Sequence, residues 1–189
     1  RLIERFSSVE RVAHWTMGLS FVVLAITGIV ILFGKYLILP IVGHAAFSSL
    51  TVLAKNLHNF VGPLFIFALL IFITLFIRDN IWKAYDGAWF GKAGGLLSGE
   101  HVPAGKFNAG EKTLFWLLVV GLCTVISVTG LILNFPNWNQ GREAMQLANL
   151  IHGGAAILAM AMACGHIYLG TIGMTGALAA MKTGYVDET

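Results

Sequence analysis

Apolar positions fall in long blocks along this chain, without the alternation of a half-buried strand. Four blocks, at residues 12–33, 57–77, 113–135 and 147–172, are almost free of charge. A helix rises about 1.5 Å per residue, so each block can cross a hydrocarbon layer about 30 Å thick. Residues 1–12 are polar, and Ser7 with Glu10 has the S-x-x-E spacing of a capping box, which predicts a helix start near Ser7. Residues 34–55 are apolar but contain Pro40, Gly43, His44 and the run Ser48-Ser49-Leu50-Thr51. This composition predicts an interfacial or re-entrant helix and no span. Pro63 lacks a backbone donor and predicts a bend in the second span. In the long polar connection at 78–112, Trp82, Tyr85, Trp89 and Phe90 recur at helical spacing among Lys83, Asp86 and Lys92. They predict an amphipathic helix lying on the membrane surface. Asn134, Pro136, Asn137 and Asn139 end the third block, and KTGYVDET forms a polar tail. The pattern therefore predicts an all-α integral membrane four-helix bundle, with interfacial helices in its loops. Residues 1–189 read as one domain, with no repeat evident.

Composition excludes the soluble alternative. The 189 residues are 57% hydrophobic and 11% charged, where soluble domains carry about 25% charged residues. Mean hydropathy is +0.80. The net charge of +3 does not point to nucleic acid, because the basic residues flank apolar blocks as topology signals do. Nine of them (Arg1, Arg5, Arg11, Arg78, Lys83, Lys92, Lys106, Lys112, Lys182) fall on one side and three (Lys35, Lys55, Arg142) on the other. Both termini are expected in the cytoplasm. Cys123 and Cys164 lie inside apolar blocks and read as packing residues; no C-x-x-C-H is present for covalent haem attachment. Starting at Arg1 without a cleavable-signal pattern, the chain reads as trimmed at both ends.

The candidate chemistry lies in four histidines. His152 and His166 are fourteen residues apart on the fourth block. That interval rises about 21 Å and falls roughly 40° short of four turns, so both rings leave one helix face. His14 opens the first block beside Trp15, an interfacial residue type, and His58 opens the second. With alternating spans, His14 and His166 share an inner layer, and His58 and His152 share an outer one. Each layer draws two imidazoles from two helices, as a bis-histidine b-type haem requires. This placement requires that 34–55 does not span. Gly28, fourteen residues after His14, leaves span one without a side chain near the outer layer. Gly62, Gly153, Gly154 and Gly165 adjoin ligand positions; clearance for a porphyrin edge and close helix packing both account for them. A lone membrane histidine is as readily an interhelical hydrogen-bond partner. His44 and His101 fall in loops and read as solvated or capping residues. Met160 and Met162 read as packing or lipid-facing.

The stretches ERVAHW at 10–15, LHNFVG at 57–62, GKFNAGEKTLFW at 105–116, LIHGGAA at 150–156, GHIYLG at 165–170 and GALAAMKTGYVDE at 176–188 carry a resemblance. Over essentially its whole length the chain resembles the cytochrome b (gamma) subunit of membrane-bound respiratory formate dehydrogenase. The resemblance implies four spans in a bacterial inner membrane, two b-type haems and a quinone site. It assigns His58 and His152 to the outer haem iron and His14 and His166 to the inner one. It places the quinone, menaquinone or ubiquinone, near the inner haem with Asn108, Gly110, Glu111 and His166. It also implies an iron–sulfur beta subunit, a separate catalytic subunit holding the formate site, and a higher oligomer of the complex. The family often has Gln at the position of Glu111 and usually carries a basic cytoplasmic tail, absent here. The residues alone leave a second reading of Asn108-Ala109-Gly110, as the turn into span three with Glu111 stabilising its start. Two other functions stand beside the leading one. One is the related cytochrome b subunit of a nickel–iron hydrogenase or a thiosulfate/polysulfide-type reductase. The other is a haem-free transporter or membrane anchor, which the scarcity of intramembrane Asp and Glu disfavours.

Overall fold

A computed structural model describes residues 2–92, 94 and 105–187. Four of its helices are long and apolar enough to cross a membrane. They are α1 (Ser8–Leu37), α2 (Leu39–Phe76), α4 (Ala109–Asn134) and α5 (Arg142–Gly173). A short α3 (Ala84–Gly91) lies in the long connection, and α6 (Ala177–Thr183) follows α5. His101 and Pro103 lie outside the described residues.

Local chemistry sets the helix starts. Ser7 caps α1 by accepting from the Glu10 N–H, while Glu10 accepts from the Ser7 N–H. Asn108 and Glu111 make the same reciprocal box at the start of α4. The expected connection at 34–55 takes a different form. Leu37 leads almost directly into α2, whose one break is Gly43 at φ 77°, ψ 172°, a conformation open to glycine. From there α2 continues without interruption to Phe76, so residues 44–55 extend the second span instead of forming a separate re-entrant helix. Few charges and no further glycine interrupt that stretch, so propagation, at one new bond per residue, outlasts the local hydroxyls. His44, expected in a loop, lies exposed on α2. Pro63 keeps helical dihedrals within α2.

The surface helix is shorter than expected: it starts at Ala84, after Trp82. Asp86, expected on its polar face, is instead buried. Two π-helical segments, Phe115–Leu122 within α4 and Leu169–Gly173 at the end of α5, have no local sequence signature. The polar tail is ordered by long-range pairing. β1 (Leu2–Glu4) runs antiparallel to β2 (Tyr185–Asp187), with Ile3 opposite Val186. The Arg5 and Phe6 N–H groups donate to the Gly184 carbonyl at 2.7 and 3.1 Å. Gly184 has φ 92°, and a Cβ there would sit 2.6 Å from the Phe6 carbonyl oxygen. Trp15 Nε1 donates to the Met181 carbonyl at 3.2 Å, which clasps α6 against α1 one residue from His14.

The four spans form two hairpins. α1 packs along α2 and α4 along α5, with far less contact between the pairs. Toward the end that carries β1 and β2, the gap is filled by Phe6, Phe65, Leu69, Phe72, Phe76, Phe115, Leu118 and Val119. Ile26, Phe60, Phe67, Leu150 and Ile172 point outward, a lipid-facing pattern that water would penalise.

Candidate functional site: two facing histidine pairs

The four histidines meet across the two hairpins. His14 of α1 faces His166 of α5, with ring centroids 6.0 Å apart and planes at 61°. His58 of α2 faces His152 of α5 at 6.2 Å and 75°. The α5 helix therefore supplies one ring to each pair, as its fourteen-residue interval predicts. Among the described residues, no third His, Cys, Asp or Glu joins either pair in a cluster.

These dimensions suit a metal between the rings. Two imidazoles that each hold one ion through a ring nitrogen at about 2.0–2.1 Å have centres roughly 6 Å apart. An iron in a porphyrin would be held there by one ring nitrogen from each histidine. The outer pair lines a cavity of about 300 Å³ with Gly28, Gly62, Gly130 and Gly153. A Cβ at Gly28 would come 3.4 Å from His58 Cε1, and one at Gly130 3.2 Å from His152 Cε1. Gly130 went unnoticed in the sequence, because it lies mid-span with no histidine beside it in the chain. Gly154 and Gly165 have open space around them. Met160 lines the same cavity, whereas Met162 packs against the aromatic core. Cys123 is buried and Cys164 exposed, both as free thiols.

The inner pair sits in a different setting. His14 is half-buried, His166 is exposed at the surface of the chain, and His14 Nδ1 is buried without a partner. His14 lies 5.3 Å from Trp15, edge-on, and 6.3 Å from Phe72. From Phe72, rings continue to Phe76 at 4.4 Å and to Phe107 at 5.9 Å, next to Asn108 in the chain. Asn108, Gly110 and Glu111 are gathered at the start of α4, and no hydrogen bond joins them to His14 or His166 among the described residues.

At that turn the capping role expected of Glu111 is the one the geometry displays. Its carboxylate accepts from Asn108 N–H at 2.8 Å and from Arg5 Nη2 at 3.1 and 3.2 Å. Arg5 also donates to the Lys106 carbonyl at 2.8 Å. Glu111→Gln keeps an oxygen for the Asn108 N–H and loses the charge attraction. With both side chains partly exposed, the expected cost is about 0.2–1 kcal/mol, read as a small fall in Tm. Nearby, Lys106 pairs with Glu10 and with Asp79. Burial acts to lower the Lys106 pKa, but hydrogen bonds and charge from those carboxylates hold it above the ordinary lysine value.

The sequence pattern of prokaryotic cytochrome b561 matches residues 5–184. The chain is 29% identical over 193 residues to the cytochrome b556(Fdn) subunit of the nitrate-inducible formate dehydrogenase of Escherichia coli, covering 100% of this chain and 86% of that one. The cytochrome b556(fdo) subunit of a formate dehydrogenase from the same organism is 26% identical over 190 residues, covering 98% and 86%. The cytochrome b556 subunit of the Haemophilus influenzae formate dehydrogenase is 28% identical over 194 residues, covering 97% and 76%. With four apolar spans and a match over nearly its whole length, this chain belongs to the prokaryotic cytochrome b561 family.

Proposed function

We propose that this chain is the di-haem membrane subunit of a respiratory formate dehydrogenase. It takes electrons from a periplasmic iron–sulfur subunit at the outer pair and delivers them to a quinone beside the inner pair. The observation that carries this reading is the matched facing of His58 with His152 and His14 with His166, at 6.2 and 6.0 Å. When bound, two b-type haems supply one-electron transfer across most of the hydrocarbon layer. His58 and His152 would hold the outer iron, and His14 and His166 the inner iron. The missing side chains at Gly28 and Gly130 would leave room beside His58 and His152 for the outer haem, and the apolar spans would exclude water and competing ligands.

At the inner end, Asn108, Gly110, Glu111 and His166 would contact the quinone. The Asn108 side-chain oxygen is used by the Glu111 N–H, so its amide nitrogen remains to donate to a quinone carbonyl. With both termini in the cytoplasm of a bacterial inner membrane, as the nine-to-three split of basic residues supports, quinone protons come from that side. Negative charge then moves inward as protons are consumed inside, and the membrane is energised. Formate oxidation belongs to a separate catalytic subunit.

The deciding experiment is the haem stoichiometry and subunit composition of the isolated complex. Two b haems per chain, with an iron–sulfur and a formate-oxidising partner, are expected. Two haems beside a hydrogenase or polysulfide-reducing partner would reassign the donor, and no b-haem spectrum would overturn the reading. A narrower check follows from the cavity. Gly28→Leu and Gly130→Leu each drive a branched side chain against a ligand ring. Each is expected to remove at least half of the outer haem absorbance while the inner haem stays bound.

A further inference from the structure

The two hairpins are built alike around the outer pair. Residues 24–33 read LAITGIVILF and residues 126–135 read ISVTGLILNF, so each hairpin carries a Thr-Gly pair on its first helix. The outer histidine of each hairpin lies on its second helix. Thr27 Oγ1 is 2.8 Å from His58 Nδ1, and Thr129 Oγ1 is 3.0 Å from His152 Nδ1. Each hydroxyl also donates to the carbonyl one turn back, Thr27 to Val23 at 2.8 Å and Thr129 to Val125 at 2.7 Å. A threonine hydroxyl has a single proton. With that proton on the carbonyl, the oxygen can only accept from the imidazole, so Nδ1 carries the hydrogen and Nε2 keeps its lone pair. His152 gives the same answer independently: its Nδ1 is also 3.0 Å from the Ile126 carbonyl, which can only accept. At His58 the hydrogen bond at Nδ1 is the one with Thr27.

The inner pair has no such support. His14 Nδ1 is buried without a partner, and among the described residues no hydroxyl or carbonyl bonds to His166.

We propose that Thr27 and Thr129 are positioning residues for the outer pair. They fix the Nδ1–H tautomer, aim Nε2 at the facing ring, and make the outer imidazoles stronger donors to iron than the inner ones. This rests on the di-haem reading above. Accepting a hydrogen bond from the distal ring nitrogen raises ligand basicity, and a more basic axial ligand favours ferric iron. The outer site then has the lower potential, and electrons run downhill toward the inner pair.

The test is a redox titration of the haem absorbance in the isolated holo complex, comparing wild type with T27V, T129V and T27S. T27V is expected to shift the outer midpoint upward, narrowing its gap to an unmoved inner midpoint. T129V should shift it less, because His152 keeps the Ile126 carbonyl. T27S, which restores the hydroxyl, should titrate as wild type. Loss of the outer haem from T27V with retention in T27S also supports the positioning role. Unmoved midpoints in fully loaded T27V and T129V would overturn it, as would a T27S shift or haem loss equal to that of T27V. A wild-type complex without b haem overturns the di-haem reading itself, whereas two haems with unmoved midpoints overturn only the threonine inference.

Discussion

His14→Ala or His166→Ala is expected to remove the inner haem and abolish quinone reduction, while the outer haem stays bound and reducible. Each substitution takes one of two facing rings at 6.0 Å and leaves a single nitrogen where the iron needs two. Selectivity follows from depth. The layers are separated by the His152–His166 interval of about 21 Å along α5, well beyond the 7–10 Å over which substitutions couple. The fold should survive, because His166 is exposed and no hydrogen bond anchors His14 Nδ1. Pyridine haemochrome analysis should show one haem per chain instead of two, and the natural donor should still raise the reduced α-band of the remaining one. Unchanged haem content in both variants would sink the inner assignment. His58→Ala inverts the pattern: the outer haem goes, electron entry from the donor stops, and a chemical reductant still reaches the inner one.

The parts of this arrangement that local pattern encodes were legible in the sequence. Charge-free blocks of bilayer length mark the spans, and a fourteen-residue interval on one helix places two rings at two depths regardless of side-chain packing. What escaped depends on residues distant in the chain. The Arg5–Glu111 and Asp86–Lys112 pairs join residues 106 and 26 positions apart, so no window reveals them. The tail KTGYVDET reads only as polar, because the pairing partner of Tyr185–Asp187, Leu2–Glu4, is at the opposite end of the chain. Residues 34–55 misled for the converse reason. Pro40 and four consecutive residues rich in hydroxyls suggested a broken helix, but only Gly43 leaves helical geometry. The Thr-Gly correspondence between residues 24–33 and 126–135 is short, and only the shared approach to a histidine separates it from chance.

Asp86→Ala should be strongly destabilising. Lys112 is 1% exposed and Asp86 3%, and Lys112 Nζ donates to Asp86 Oδ2 at 2.8 Å while lying 4.9 Å from the centre of the Tyr85 ring. The same oxygen accepts from the Lys83 N–H at 2.7 Å. Removing the carboxylate leaves an ammonium buried without a counterion, a change that costs about 3–5 kcal/mol. D86A/K112M removes both charges and should recover most of that loss, since apolar replacement of a buried pair is often neutral. Unfolding of D86A, K112M and D86A/K112M in detergent gives the coupling energy directly, and equal losses in D86A and the double variant would refute the pairing. The pH dependence has a definite sign. Burial acts to raise the Asp86 pKa, but hydrogen bonds from Lys112 and the Lys83 N–H, with both lysine charges, hold it below the ordinary carboxylate value. The pair's contribution is therefore complete above about pH 3.9, the unfolded carboxylate value, and fades as pH falls through the lower native one. Wild-type and D86A stabilities should converge at the acid end of the range. Because Lys112 lies in the first turn of α4, its N–H bonded to the Asn108 carbonyl at 2.9 Å, the strain enters where Asn108, Gly110 and Glu111 are set. Quinone reduction should accordingly fall in D86A before either haem is lost.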